Sequence, residues 1–287
     1  MLPVDFSGLT PLAGGWSGQT FLAEAAGERS VVRIYAEAGL RGDAAPEIDA
    51  ALLRLVRGLV PVADVLEVRR RNGEAPGLLV TSYVEGTRGD ELLPGLARAE
   101  SAKVGSALGA LLADLGGMPF LDAGWFADAE LTVRPFAELG FPDGLPEYVD
   151  SLALPLPDPD RRGLRRLAVD AQARLDSVGR VCLVHSDFNP KNLILDPTRN
   201  SVRALLDWEF AHAGHPFADL GNLLRFEPSS AYVDAVLGSF TDRRGGSVAE
   251  TRALAQAADL WALLDLASRA GENPVADRAL EKVRALV

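Results

Sequence analysis

The stretch "LVHSDFNPKNLILD", Leu183 to Asp196, sets His185, Asp187, Asn189 and Asn192 between two apolar runs. A further apolar run ends on Asp207 in "LLDWEF". An Asp fixed at a strand boundary can act as a general base, and an Asn side-chain oxygen with a second Asp offers hard donors of the kind magnesium takes. A single Asp at a strand end is ordinarily a turn former or a helix cap. The joint occurrence of His185, Asp187, Asn192 and Asp207, each at a strand boundary, is harder to dismiss. It meets the needs of phosphoryl transfer from a nucleotide: a carboxylate for the acceptor hydroxyl, oxygen ligands for magnesium, and a fixed cation for the phosphates. On that reading Asp187 is the base, Asn192 and Asp207 are the metal ligands, and His185 braces the loop by hydrogen bonds.

The elements that must hold these residues are legible as well. "VCLVH", "NLILD" and "VRALLDWEF" read as short strands close together, suited to pinning the loops between them. Upstream, "LTPLAG" and "QTFLAEA" flank the glycine-rich turn Gly14-Gly15-Trp16-Ser17-Gly18, where Gly15, Ser17 and Gly18 let backbone N–H groups approach phosphate. Taken alone, such a hairpin is usually only a hairpin. "SVVRIYA" is the next strand and carries Arg33, which is costly if it faces inward unpaired. Glu47, on the following helix "PEIDAALLRLVRGL", is then its natural partner; the alternative is that Arg33 sits on the exposed strand face. "ADVLEVRR" and "PGLLVTSYV" are strands joined through Asn72-Gly73. Helices are expected over "RAESAKVGSALGALLADL", "RRGLRRLAVDAQARLDSV" and "TRALAQAADLWALLDLASRA", with a Gly/Pro-punctuated stretch at 116–160. The expected fold is α+β: a small β-rich lobe over residues 1–84 and a larger, mostly helical lobe over 85–287.

Composition narrows the classes. The 287 residues are 48% hydrophobic and 24% charged, as in an ordinary soluble domain. No basic-then-apolar leader opens the sequence and no run is long enough to span a bilayer, so a cytoplasmic chain with no membrane partner is expected. The single cysteine, Cys182, lies in "VCLV" and reads as a buried thiol. The net charge of −11 is concentrated: residues 91–160 hold twelve acids and three bases. That argues against nucleic acid as a partner. It is either a solvated face or a field that attracts a cation. His212 and His215 flank a glycine with no Cys nearby, a poor start for zinc.

The chain resembles the aminoglycoside phosphotransferase and choline kinase-like group, distant relatives of the protein kinases. "HSDFNPKN" is similar to that group's H-x-D-x-x-x-x-N loop, and "LLDWEFAHAGHPFADLGNLL" to its D-W-E…G-x-P…D-L-G segment. "AGGWSGQTF", "VVRIY", Glu47 and the hinge-like "LLVTSYVEG" are weaker matches, in the family's order. The resemblance implies a bilobal protein-kinase-like fold and the use of ATP or GTP with Mg2+. It implies Asp187 as the catalytic carboxylate, Asn192 and Asp207 as metal ligands, and Asp219 as a buttress of the loop. Backbone groups of Ser82 and Val84 would meet the base of the nucleotide. Arg33 stands where the group often has Lys, and Asn189 where protein kinases place Lys.

The family phosphorylates hydroxyls of aminoglycosides, macrolides, choline, homoserine and other small molecules. A polycation beside clustered carboxylates gains favourable pairs, so a cationic antibiotic is the favoured acceptor. The resemblance leans to the cyclic peptides capreomycin and viomycin, with aminoglycosides next. Asp122, Asp128, Glu130, Asp259, Asp265 and Glu272 are candidate acceptor contacts by region and charge, each with a solvated surface acid as its alternative. Trp125, Phe126 and Trp261 would line a cleft or belong to the core. A small-metabolite kinase of the same fold and a non-catalytic nucleotide-binding scaffold are the rival readings. The oligomeric state is not legible.

Overall fold

The computed structural model describes residues 9–12, 19–36, 39, 41–73, 75–227 and 229–287. The glycine-rich turn with Gly15, Ser17 and Gly18 lies outside them. In chain order the first elements are β1 (Leu9–Pro11), β2 (Gln19–Ala25), β3 (Glu28–Tyr35), α1 (Ala45–Val56), β4 (Val65–Arg69), β5 (Gly77–Ser82), β6 (Thr87–Arg88) and α2 (Gly89–Leu92). Next come α3 (Arg98–Leu115), β7 (Pro119–Phe120), β8 (Gly124–Phe126), β9 (Val133–Pro135), α4 (Leu145–Ser151), α5 (Asp158–Asp176) and β10 (Val181–Val184). The chain ends with the hairpin β11 (Leu193–Asp196) and β12 (Ser201–Leu205), then β13 (His212–Gly214), α6 (Ala218–Leu224), α7 (Ser230–Arg244), α8 (Val248–Ser268) and α9 (Pro274–Leu286).

The chain divides into two compact units. The first gathers residues 1–95, 126–134 and 190–211; the second holds 96–125, 135–189 and 212–287. In the first, an antiparallel sheet runs β1-β2-β3-β5-β4. Helix α1 opens with Pro46 in its first turn and buries Ile48, Asp49, Leu52, Leu53 and Val56, a 3–4 spacing that makes one face. Residues 190–211 return to this unit through β11, which pairs with both β12 and β6 in a second antiparallel sheet. The Leu205 N–H donates to the Pro61 carbonyl at 2.8 Å, tying the hairpin to the segment after α1.

The second unit is mainly helical. Leu145, Leu164, Ala168, Leu263, Leu264 and Val283 build a core shared by α4, α5, α8 and α9. Helix α3 crosses α7 at close range because α3 carries Gly105 and Gly109 one turn apart; a Cβ on Gly109 would lie 2.2 Å from the Val236 carbonyl oxygen. Short strands β7, β10, β13 and β8 pair antiparallel in that order, with Val184 opposite His212. All but the first residue of β10 are buried, so the strand is a fixed base for the loop that leaves it at His185. Cys182 is buried there, and burial pushes its thiol up to about 12. Among the described residues no helix is long and apolar enough to cross a membrane.

Candidate active site

In the second unit the polar loop after β10 is pinned by α6. Asp219, itself buried, accepts from the His185 and Ser186 backbone N–H groups, each at 2.7 Å. Asn222, three residues on and so on the same helical face, donates from Nδ2 to the Ser186 carbonyl at 3.2 Å. Ser186 is held at φ 70°, the left-handed region that a non-glycine residue enters only at a cost. Side chains on both of its peptide groups over-determine that conformation. Burial pushes the Asp219 carboxyl up to about 7, the two N–H bonds oppose this, and the charge of Asp187 adds to it.

Asp187 follows directly. Its N–H donates to Nδ1 of the fully buried His185 at 3.3 Å, which leaves the imidazole proton on Nε2. His185 therefore braces the loop, and its ring packs edge-on against Phe188. Asn189 closes the turn: its N–H and Nδ2 reach the Asp187 carbonyl at 2.9 and 3.2 Å, and Nδ2 donates to the Asp187 Oδ1 at 2.7 Å. A neutral amide thus holds one carboxylate oxygen of Asp187.

In the first unit, the β11–β12 ladder brings the other two candidates together. Leu193 pairs with Leu205, and the Leu206 N–H donates to the Asn192 carbonyl at 2.8 Å, so Asn192 and Asp207 stand at the same end of the hairpin. Asn192 is buried, whereas the Asp207 side chain is 44% exposed and sits on a left-handed backbone, φ 59°. An amide oxygen and a carboxylate fit magnesium, an ion that takes one or two protein ligands and leaves further positions to phosphates and water. Among the described residues no three His, Cys, Asp or Glu side chains gather as a metal site.

Arg33 does face inward, but its partners are not those expected. It contacts Asp207 at 3.4 Å and Glu209 at 2.6 Å, while Glu47 turns to Arg70 at 3.5 Å. The reason lies in helical phase. Glu47 shares a face with the solvent-exposed Arg54, whereas Asp49 falls in line with Leu52, Leu53 and Val56. Asp49 is the buried acid of α1; it accepts from the Tyr35 hydroxyl at 2.6 Å and pairs with Arg41, which also donates to the Ala211 carbonyl. Burial works against the Arg33 charge, and Tyr35, Glu209, Asp49 and Asp207 together more than restore it. Burial raises the Glu209 carboxyl; Arg33 offsets part of this, and the charges of Asp207 and Asp49 add to it, so the net shift is upward. Asp49 and Glu209 carried no assigned role in the sequence; the apolar phase of α1 and the "DWE" triplet were the signals for them.

The remaining candidates fall in varied settings. At the strand end, the Ser82 N–H donates to the Asp64 carbonyl at 2.8 Å and its hydroxyl accepts from the Asp64 N–H, so that N–H is not open to a ligand. No hydrogen bond reaches the Val84 backbone among the described residues. Asp259 is not a free acid: it is 5% exposed and chelates Arg225, with its closest contact at 2.7 Å. Asp265 pairs with Arg269 one turn away at 2.6 Å, on the surface. Asp128 caps a turn by accepting from the Thr132 N–H, an interaction that lowers its pKa. Asp122, Glu130 and Glu272 are exposed. Phe126 is core; Trp261 stacks on Tyr148 at 4.8 Å beside the helical core; Trp125 rests against Phe136 and His212.

The sequence pattern of the phosphotransferase enzyme family, APH, matches residues 8–256. The chain belongs to that family. Members of known structure share its fold. The GDP and kanamycin complex of APH(2")-IIia superposes with a TM-score of 0.72 at 15% identity, covering 99% of this chain and 94% of that one. A thermostable variant of APH(4)-Ia, in a ternary complex with ADP and hygromycin B, gives 0.66 at 16% identity over 98% and 93%. The phosphotransferase is thus α+β and kinase-like. Among curated proteins, acyl-CoA dehydrogenase family member 11 of Rattus norvegicus is 45% identical over 51 residues, 18% of this chain and only 6% of that protein. Family member 10 of Mus musculus is 47% identical over 53 residues, 5% of its length.

Proposed function

We propose that this protein moves the terminal phosphoryl group of ATP or GTP to a hydroxyl of a small cationic molecule. The observation that carries this is the hairpin end to which the β11–β12 ladder brings Asn192 and Asp207, because an amide oxygen and a carboxylate are hard donors of the kind a phosphate-bound magnesium ion takes. Magnesium, when bound, neutralises charge on the phosphates. Asp187 orients the acceptor hydroxyl and takes its proton as that oxygen bonds the terminal phosphorus and the bond to the leaving diphosphate breaks. The brace of Asp219, Asn222 and His185 keeps Asp187 in place without reorganisation during the step. Arg33 supplies positive charge for the phosphates, and Val84 offers an unengaged backbone for the base. The acids of residues 91–160, and the hygromycin B and kanamycin named in the related complexes, support a cationic antibiotic as acceptor. Capreomycin and viomycin are the finer choice, resting on sequence resemblance alone.

A metabolite kinase is the second reading. It is favoured by the pairing of Asp259 with Arg225 and of Asp265 with Arg269, which leaves fewer acids for a polycation. The test is nucleoside-diphosphate release with magnesium and ATP or GTP against capreomycin, viomycin, kanamycin, choline and homoserine. Turnover on a cationic antibiotic, reduced by at least about a hundredfold in Asp187→Ala, is the expected result. Turnover on choline or homoserine alone would move the assignment to metabolism. Absence of magnesium-dependent nucleotide binding would leave only a scaffold.

A further inference from the structure

On the second unit a cavity of about 380 Å³ opens between the segment before β10, the segment leading into α6, and the α7–α8 turn. Its wall carries Arg180, Arg243 and Arg244 in a chain whose net charge is −11. All three reach the C-terminal end of α3: Arg180 donates to the Gly116 carbonyl at 2.7 Å, Arg244 to the Ala113 carbonyl, and Arg243 to the Asp114 carboxylate at 2.8 Å. Asp114 matches the charge of Arg243, so Arg180 and Arg244 carry the surplus positive charge beside the helix end. Burial first, and then repulsion from Arg180, push the Arg244 guanidinium below its usual range. The contacts to α3 engage only some of the donors. Nε and Nη1 of Arg180, Nε and Nη2 of Arg243 and Nη1 of Arg244 have no partner among the described residues.

A second feature is independent of that charge. Thr251 also lines the cavity; it is 3% exposed, and among the described residues its hydroxyl has no hydrogen-bond partner. Its oxygen is not sealed from solvent, so it is open to a ligand in the cavity, and it lies in the first turn of α8, a 21-residue helix whose N-terminal N–H groups favour negative charge. Phe217 and Phe240, which also line the cavity, meet with ring centroids 5.6 Å apart and give it an apolar part. One acid, Glu250, also lines the cavity, so the cationic excess is real but moderate.

We propose that this cavity binds a small organic oxyanion, its charged head on Arg180, Arg243 and the Thr251 hydroxyl and its compact apolar body against Phe217 and Phe240. The volume suits a ligand of about one ring. Calorimetric titration of the full chain with phenyl phosphate, benzoate, inorganic phosphate and benzyl alcohol tests it. Phenyl phosphate or benzoate should bind, and more tightly than either inorganic phosphate or benzyl alcohol. Arg243→Gln and the near-isosteric Thr251→Val should each weaken that binding by about tenfold, with circular dichroism showing an unchanged fold. Asp207→Ala should leave it intact, which separates this cavity from the hairpin that carries the proposed metal ligands. Saturable binding that survives both cavity substitutions, or binding of neither organic anion, would overturn the proposal. Inorganic phosphate binding as well as the aryl anions would remove the apolar half of it.

Discussion

At the scale of single residues, the unusual feature is Ser186 at φ 70°, locked between Asp219 and Asn222. A left-handed conformation costs a non-glycine residue about 1–2 kcal/mol. Ser186→Gly removes that cost but gains unfolded-state entropy, so urea unfolding should show a change within about 0.5 kcal/mol. Ser186→Val meets a steeper steric penalty and should lose about 1–2 kcal/mol together with most turnover. Asp219 and His215 make a pH prediction of opposed signs. The Asp219 pKa is raised to about 7, so the native state holds a proton the unfolded chain has released, and stability falls as pH rises from about 4 to about 7. His215 is lowered to about 4 by burial, so its contribution is present above about 6.5 and lost as pH falls towards about 4. The two offset in the native protein. Asp219→Asn should uncover the histidine, and unfolding free energy should then rise with pH between about 4 and 6.5, at no more than about 1.4 kcal/mol per pH unit. A flat profile in the variant would contradict this assignment. The strands that flank Asp187, Asn192 and Asp207 were legible in the sequence as short apolar runs. The partners of Arg33 were not, since Asp207 and Glu209 lie far along the chain and only tertiary register brings them to it.

At the scale of elements, periodicity carried most of the fold. The strands at "QTFLAEA", "VCLV" and "NLILD" and the long helices α3, α5 and α8 lie where apolar spacing predicts them. The error over Glu47 came from reading α1 as helical without reading its phase: the buried stripe passes through Asp49, two residues away. Asp259 shows a further limit. An acid in an amphipathic helix looks the same in sequence whether it meets a ligand or an arginine, and here Arg225, on the chain just after α6, chelates it. Removing one partner of a buried ion pair costs about 3–5 kcal/mol. Asp259→Ala should therefore lower the denaturation midpoint sharply, while the surviving enzyme keeps its KM for the acceptor. A raised KM with unchanged stability would return Asp259 to the acceptor site.

At the scale of the whole molecule, the charge of −11 makes a kinetic prediction. If the acceptor is a polycation, kcat/KM should fall several-fold between about 0.05 and 0.5 M salt through screening of long-range attraction, while kcat at saturation changes little. A neutral or singly charged acceptor should show almost no dependence, so the salt profile separates the two readings of the acidic stretch. The two returns of the chain to the first unit were not legible; the later one depends on the pairing of β6 with β11, which joins residues that no local pattern links. That pairing also bears on how the chain is made. On the ribosome, Thr87–Arg88 emerges long before Ile194–Leu195, the strand it must meet. β6, which belongs to no strand pair of the amino-terminal sheet, thus waits unpaired for the hairpin at 193–205, and the Pro61 carbonyl waits for its donor. Closing so long a loop is slow, and an open edge invites association with other nascent chains. Translation speed through the intervening helices, and chaperone cover while they are made, thereby become determinants of yield.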